Sequence, residues 1–262
     1  MLDIQQLSVA YGGGGPALED FSLHMKTGEI VALVGESGSG KTTAIRTVMG
    51  LLPSGGHITS GTIRFAGQEL TRLPERQWQA LRGHEIAMIF QDSGAMLNPI
   101  RTIGGQFMEY IRAHERGVSR REARRRGGEM LERMGLPNVD SILSSYPFQL
   151  SGGQRQRVGI AMAMTFRPRL LLADEPTSAL DVTTQAQIVA QMMELRRDYG
   201  TAILLVTHNL GVAAYMADQL LVMRGGHIVD QGDRGAILGP HGAGYTQELL
   251  SAVPDLRRER YV

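Results

Sequence analysis

Short apolar runs recur along this chain of 262 residues. They are EIVALV at 29–34, EIAMIF at 85–90, LLLA at 170–173, AILLV at 202–206 and LLVM at 220–223. Because nearly every position in these runs is apolar, they predict strands buried on both faces, as in a parallel sheet that helices cover. None approaches the roughly 18 apolar residues that a membrane-spanning helix requires.

A helical pattern separates two of these predicted strands. In the segment TTQAQIVAQMMELRRDYG at 183–200, Ile188, Met192 and Leu195 fall on one stripe, and Gly200 is a typical helix stop. Helical and strand patterns therefore alternate along the chain. This alternation predicts an α/β core with a mainly parallel sheet.

Two parts of the chain depart from the alternation. The first ~70 residues contain LDIQQLSVAY, FSLHMK and GTIRFAGQEL, whose alternating pattern between glycine and proline turns predicts an antiparallel β portion. Residues from about 92 to 165 are mostly helical in pattern and interrupt the strands, which predicts an inserted helical lobe. The chain would then be one domain, with its core and β portion formed by residues 1–91 and 166–262.

Composition narrows the function classes. The 27 Lys and Arg residues balance 26 Asp and Glu residues, so no overall charge points to nucleic acid, and RREARRR at 120–126 is most simply a solvated helix face. The chain has no cysteine, which excludes disulfides, thiolate metal sites and cysteine nucleophiles. Its amino-terminal segment lacks the basic and apolar regions of a signal peptide. We therefore expect a soluble protein inside the cell, linked to a membrane only through a partner.

A glycine-rich loop carries the first chemical signal. Residues 35–42 spell G-x-x-x-x-G-K-T between the strand at 29–34 and a helical run at 43–52, which is the context that a phosphate loop requires. The glycines let successive backbone N–H groups point inward, Lys41 supplies a charge for the β- and γ-phosphates, and the Thr42 hydroxyl can ligate Mg²⁺. The predicted nucleotide-binding residues of this loop are Gly35, Glu36, Ser37, Gly38, Ser39, Gly40, Lys41, Thr42 and Thr43.

Two acidic residues complete this signal. Asp174 and Glu175 follow the buried run at 170–173, at the strand end where open α/β sheets hold ligands. Alone, two acids in this position would more often cap a helix or form a turn. Beside a phosphate loop, Asp174 is placed to hold Mg²⁺ through water and Glu175 to polarise the water that attacks the γ-phosphate. The two motifs together predict hydrolysis of a nucleoside triphosphate.

The segment LSGGQ at 150–154 specifies the subclass. It resembles the signature of the ATP-binding-cassette family, and the three motifs occur in that family's order and separations. In the family, the signature closes on the ATP that an opposing subunit's phosphate loop holds, so two cassettes pair head to tail around two ATP molecules. The resemblance therefore implies ATP as the nucleotide and a second cassette as partner. The residues that would reach the partner's ATP are Ser151, Gly152, Gly153 and Gln154.

Further positions match the family one by one. Tyr11 resembles the aromatic residue that stacks on adenine, Gln91 the glutamine that senses Mg²⁺ and links to the membrane partner, and His208 the histidine that contacts the γ-phosphate. SALD at 178–181 resembles the loop that crosses the dimer interface. The resemblance thus implies Glu175, His208 and Lys41 as catalytic residues. It implies Thr42, Gln91 and Asp174 as the residues around Mg²⁺.

Two segments resemble the peptide and nickel importer branch of the family. They are QDSGAMLNPIRTIGGQF at 91–107 and the tail HGAGYTQELLSAVPDL at 241–256, although Gly94, Ala95 and the spacing between His241 and Tyr245 depart from the branch pattern. Many oligopeptide members carry a cysteine-bearing extension, which is missing here, so nickel or a metal chelate is favoured over dipeptides as cargo. The seven histidines are scattered and do not form a nickel site of their own.

The resemblance also implies an assembly. The expected partners are a second ATPase subunit of different sequence, two transmembrane permease subunits and an extracytoplasmic solute-binding protein, with no nucleic acid. The chain would lie on the cytoplasmic face of the cell membrane as a peripheral subunit. The alternative is a soluble cassette ATPase acting on nucleic acid or ribosomes, although the chain lacks the coiled-coil insert or second cassette of such relatives. A phosphate-loop kinase would leave LSGGQ unexplained.

Overall fold

The computed structural model describes residues 1–13, 15–239 and 244–251. The part of the importer-like tail that includes His241 and residues 252–256 therefore lies outside the described residues. The strands of the described part are β1 Leu2–Tyr11, β2 Pro16–Met25, β3 Ile30–Gly35, β4 Gly56–Phe65, β5 Gln68–Glu69, β6 Ile86–Ile89, β7 Leu170–Asp174, β8 Ala202–Val206, β9 Gln219–Arg224 and β10 His227–Asp233.

The helices follow the same chain order. They are α1 Lys41–Val48, α2 Glu75–Leu81, α3 Ser93–Met96, α4 Ile103–His114, α5 Arg120–Arg133, α6 Val139–Ser144, α7 Gly152–Met164, α8 Val182–Tyr199, α9 Leu210–Met216, α10 Arg234–Leu238 and α11 Gly244–Ser251, with one 3₁₀ turn at Pro147–Gln149. Within the described residues, no helix combines the length and apolar character needed to span a membrane.

The larger of two sheets has the strand order β10-β9-β3-β8-β7-β6. Its neighbouring strands run parallel except for the pair β9 and β10. All five strands predicted from the apolar runs are present in it. The sequence pattern missed β10, because this edge strand alternates between exposed and half-buried positions and carries no apolar run.

Both faces of this sheet are buried, as the near-continuous apolar runs predict. In β3, Ile30, Ala32 and Val34 pack into one hydrophobic cluster with residues of α7, α8 and α9. The alternate positions Val31 and Leu33 pack into a second cluster with α1 and the smaller sheet. The strand that leads to the phosphate loop is therefore fixed from both sides.

The smaller sheet is antiparallel and has the order β2-β1-β4-β5. It confirms the predicted antiparallel β portion, with longer strands than the pattern indicated. The second strand begins at Pro16 rather than near residue 21, and the sheet tolerates this proline because β2 is an edge strand. The third begins at Gly56 rather than Gly61, and the pairing with β1 shifts register between Gln5 and Ser8.

Helix bounds differ from the pattern mainly in α1. The predicted helix at 43–52 begins two residues earlier, at Lys41, and ends at Val48, because the chain turns at Gly50, whose φ is +64°. Helix α8 ends at Tyr199, and the next residue, Gly200, adopts the left-handed conformation. The predicted apolar stripe of α8 is buried. Helices α3 to α7 occupy residues 93–164, between β6 and β7.

Candidate active site

Four loops that carry predicted site residues converge at one edge of the large sheet. The phosphate loop follows β3, Gln91 lies just after β6, Asp174 ends β7, and His208 lies just after β8. These strands are parallel, so their carboxyl ends meet at the same edge. This edge is where open α/β sheets bind ligands.

The backbone of the phosphate loop excludes side chains at two glycines. Gly35 has a φ of +146°, and a Cβ atom there would overlap the carbonyl oxygen of Met223 on β9. Gly40 has a φ of +99°, and its Cβ atom would lie 2.7 Å from the carbonyl oxygen of Ala17. Other residues rarely adopt such φ values, so the loop can approach its neighbours this closely only with glycine.

Lys41 lies at the start of α1 and is 6% exposed. Its Nζ atom donates to the carbonyl oxygens of Gly35 at 2.8 Å and Glu36 at 2.6 Å, and to Ser39 Oγ at 3.2 Å. Burial lowers the pKa of Lys41, and the nearby carboxylates, with Glu175 the strongest, oppose this shift. The loop thus holds an ammonium group beside the positive end of a helix, an arrangement suited to phosphate oxygens.

An oxygen pair lies beside this ammonium group. Thr42 Oγ1 donates to Asp174 Oδ1 at 3.2 Å, and Asp174 is 6% exposed. Burial raises the pKa of Asp174, against the hydrogen bond from Thr42. A hydroxyl and a carboxylate oxygen are the hard donors that Mg²⁺ prefers, and together with phosphate oxygens and water they fit this ion.

Glu175 and His208 face each other across the same edge. Glu175 Oε2 lies 2.8 Å from His208 Nδ1, which is hydrogen-bond distance. Glu175 has a φ of +46°, uncommon for a residue with a side chain, and its N–H donates to the carbonyl oxygen of Val206 at 2.9 Å. Such backbone strain is often concentrated at functional sites.

One cavity of about 400 Å³ is lined by nine of the predicted residues. Tyr11 lies at its side, with its Oη atom 3.5 Å from Thr43 Oγ1. Asp174 is joined to it through Thr42. Gly35, Glu36 and Ser39 lie behind Lys41 as its hydrogen-bond acceptors. The residues that line the cavity are Ala17, Ser37, Gly38, Gly40, Lys41, Thr42, Thr43, Gln91, Glu175 and His208.

The signature residues are held elsewhere. Ser151 caps α7, where its Oγ atom accepts from the Gln154 N–H at 3.3 Å while its own N–H donates to Gln154 Oε1 at 2.9 Å. A Cβ atom at Gly153 would lie 2.7 Å from Thr184 Cγ2, so α7 and α8 pack closely there. Within the described residues, the lining of the nucleotide cavity includes none of Ser151, Gly152, Gly153 and Gln154.

Two residues of the site went unnoticed in the sequence. Ala17 lines the cavity and presents its carbonyl oxygen to Gly40, a backbone contribution that leaves no sequence signal. Gln156, on α7, is buried and hydrogen-bonded to loops on either side of the site. Its position within QRQR marks it as polar and gives no hint of burial.

Comparison with known proteins identifies the family of this chain. The model of the family described as ABC transporter matches residues 18–178. The chain is 43% identical to the dipeptide transport ATP-binding protein DppD of Escherichia coli (strain K12), across 99% of this chain and 80% of that protein. It is 42% identical to the oligopeptide transport ATP-binding protein OppD of Bacillus subtilis (strain 168), across 98% of this chain and 72% of that protein.

The fold has a close counterpart among solved structures. It matches the dimeric structure of a post-hydrolysis state of the ATP-binding cassette MJ0796 bound to ADP and Pi, with a TM-score of 0.80 and 28% identity, over 89% of this chain and 99% of that one. The fold class predicted from the sequence is thus confirmed, and so is the activity class of an ATPase. The chain belongs to the ABC transporter family.

Proposed function

We propose that this protein is the ATP-hydrolysing subunit of an importer for small peptides. The observation that supports this most is the convergence of the phosphate loop, Gln91, Glu175 and His208 on one cavity, in a chain 43% identical to a dipeptide transport ATP-binding protein. The first feature supports hydrolysis of ATP. The second supports the substrate class.

The roles in hydrolysis follow from the geometry. Lys41 and the backbone N–H groups of the phosphate loop would bind the β- and γ-phosphates and stabilise their developing charge. Thr42 and Asp174 would hold Mg²⁺ together with Gln91, which lines the same cavity, and this ion when bound would neutralise phosphate charge. The ring of Tyr11 would stack on adenine.

Glu175 and His208 would act on the attacking water. Glu175 is the only carboxylate that lines the cavity within the described residues, so it is the candidate to accept a proton from that water. His208 would donate to the carboxylate through Nδ1, and with its ring doubly protonated it would also donate to the γ-phosphate through Nε2. In-line attack would then release phosphate and ADP.

The signature would serve a second copy of the site. Because Ser151, Gly152, Gly153 and Gln154 lie outside the chain's own cavity, they are candidates to close on the ATP of an opposing cassette. ATP would stabilise such a pair by binding it preferentially, and hydrolysis would release it. A second cassette of different sequence is our preferred partner.

The helical segment 92–165 would form the lobe that carries the signature, while 1–91 and 166–262 form the core. An apolar groove of about 370 Å³ separates the two and is lined by Met88, Phe90, Met96 and Met162, among others. Phe90 lines this groove, whereas the next residue, Gln91, lines the cavity proposed to bind the nucleotide. A short apolar helix of a permease subunit would fit the groove. The segment with Phe90 and Gln91 would then contact both the permease and the nucleotide.

Peptides replace nickel as our proposed cargo. The expectation of nickel or a metal chelate rested on the lack of cysteine, whereas both named relatives are peptide transport proteins. The assembly would include two permease subunits and a solute-binding protein outside the membrane. The chain would then work on the cytoplasmic face as a peripheral subunit.

Reconstitution tests this proposal. The complex purified with its native membrane partners would be placed in liposomes, loaded with ATP on the side of the cassettes and given a labelled dipeptide or Ni²⁺ with the solute-binding protein. We expect uptake of the dipeptide that stops in the Glu175→Gln variant. Uptake of Ni²⁺ alone would contradict the substrate class, and isolation without any membrane partner would contradict transport.

A further inference from the structure

The side chain of Gln156 occupies a buried junction between α7 and two loops of the active site. Gln156 is 5% exposed and lies four residues after Gly152, the first residue of α7. The signature residue Ser151 is the N-cap of this helix. Gln156 is therefore close to the end of α7 that would face a partner, while its side chain lies in the interior of its own subunit.

The amide of Gln156 contacts both loops at once. Its Oε1 atom accepts from the backbone N–H of Ser93 at 3.2 Å, and its Nε2 atom donates to the carbonyl oxygen of Pro176 at 2.7 Å. The carbonyl oxygen of Phe90 lies 3.5 Å from the same Nε2 atom. Gln91 lies between Phe90 and Ser93, and Glu175 directly precedes Pro176, so both ties end beside residues that line the nucleotide cavity.

The loop that contains Ser93 packs directly on α7. Ser93 packs so closely on Gly159 of α7 that a Cβ atom on this glycine would overlap the Ser93 side chain. Both buried backbone groups tied by Gln156 would lose a hydrogen-bond partner without it, and an unmatched buried polar group is costly. The amide offers an acceptor and a donor at the end of one side chain, whereas an ionised carboxylate of the same length offers acceptors only.

We propose that Gln156 is a positioning residue for ATP hydrolysis, which holds the Gln91 and Glu175 segments in register with the helix that begins at Ser151. When the signature engages a partner's nucleotide, movement of α7 would pass through this amide to the hydrolysis residues of the same subunit. The inference rests on the proposed function in taking Glu175 as the residue that activates water. It adds a connection, within one subunit, between the signature and the residues proposed to hydrolyse ATP.

Three variants of the purified transporter complex test this role. Gln156→Ala removes both ties, Gln156→Glu keeps the acceptor for Ser93 but turns a second acceptor toward Pro176, and Thr165→Val is the matched control. Thr165 is the C-cap residue that follows α7; it is also buried, and it donates to the carbonyl oxygen of Ala161 within α7 at 2.9 Å. We expect Gln156→Ala to lower kcat about tenfold, with KM for ATP within about twofold of the unmodified complex. Thr165→Val should keep the full kcat.

The pH profile separates positioning from mere stability. A buried glutamate has a raised pKa and regains a donor on protonation, so the kcat of Gln156→Glu relative to the unmodified complex should rise about threefold from pH 8 to pH 6. The same ratio for Gln156→Ala should stay flat. A flat ratio for both variants, or equal kcat for Gln156→Ala and Thr165→Val at equal melting temperatures, would overturn the inference.

The Glu175→Gln variant in the same assay distinguishes the two proposals. Full turnover in Glu175→Gln would refute the proposed hydrolysis mechanism itself. Loss of turnover in Glu175→Gln together with normal turnover in Gln156→Ala would refute only the role of Gln156. The peptide cargo does not enter either result, because the measured quantity is ATP hydrolysis.

Discussion

The two glycine-rich helix starts of this protein look alike in sequence and differ in structure. At the start of α1, Gly40 is left-handed and provides no capping side chain, while the next residue, Lys41, directs its ammonium group into the phosphate loop. At the start of α7, Ser151 and Gln154 cap each other through a reciprocal pair of hydrogen bonds. The first start lines the cavity and the second does not.

This difference shows how a helix start can serve a ligand in two ways. The phosphate loop places the ammonium group of Lys41 and the hydroxyl of Thr42 beside one cavity of its own chain, so it is a candidate binding site in itself. The signature has a self-sufficient cap and no charged side chain from Ser151 to Gln154, so it would contribute to a site only when another subunit brings the nucleotide. Variants at each helix start should therefore affect separate measurements.

The largest effect should come from replacing Glu175, the proposed proton acceptor. Glu175→Gln removes the only carboxylate of the described cavity lining while it keeps the shape, so kcat should fall by about 10³. ATP should still bind, and the paired, ATP-bound state should accumulate in size-exclusion chromatography. Glu194→Gln, an exposed change on α8, is the control. Normal turnover in Glu175→Gln would assign the proton acceptor elsewhere.

Removing the charge of the phosphate loop should act on binding rather than on turnover alone. Lys41→Ala deletes an ammonium group that would make charge-assisted hydrogen bonds to phosphate, so the Kd for ATP should rise about 100-fold. A fluorescent ATP analogue measures this with the isolated subunit. Lys26→Ala is a matched control, since Lys26 is exposed and lies outside the cavity lining. An unchanged Kd in Lys41→Ala would contradict the proposed binding of phosphate by Lys41.

The signature should behave in the opposite way. Ser151→Arg places a bulky side chain at the start of α7 but leaves the phosphate loop intact, so the Kd of the isolated subunit for ATP should change less than about twofold. Formation of the ATP-bound pair, measured in the Glu175→Gln background, should fall at least about tenfold. Loss of ATP binding by the single subunit would mean that the signature supports its own cavity.

The sequence was most informative where backbone pattern and chemistry coincide. The strand before the phosphate loop and the run before Asp174 were evident because β3 and β7 are apolar on both faces. Local pattern carried no information on contacts across the fold. The carbonyl oxygen of Ala17 supports Gly40 from a different sheet, and Gln156 joins segments 63 and 20 residues away.

Helix ends and edge strands were the other limit. The turn at Gly50 ends α1 four residues before the apolar pattern does. Strand β10 has only intermediate and exposed positions, so its place in the sheet is decided by pairing with β9. The pairing of Glu175 with His208 likewise depends on the neighbouring positions of β7 and β8, which no spacing in the sequence reveals.

The smallest predicted effect compares two aspartates, one beside each helix start. Burial raises the pKa of Asp174, whereas the backbone hydrogen bond from Thr184 lowers the pKa of Asp181, which caps α8 next to the signature. A raised folded-state pKa means that ionised Asp174 costs stability above its unfolded pKa near 3.8, so Asp174→Asn should slightly raise the melting temperature at pH 7 and leave it unchanged at pH 3. Asp181→Asn should lower it slightly at pH 7, because a depressed pKa contributes stability above the unfolded value that is lost as pH falls through the folded one. Melting curves between pH 3 and 7 measure both effects. Shifts of the melting temperature with the same sign in the two variants would contradict the opposite pKa shifts of Asp174 and Asp181.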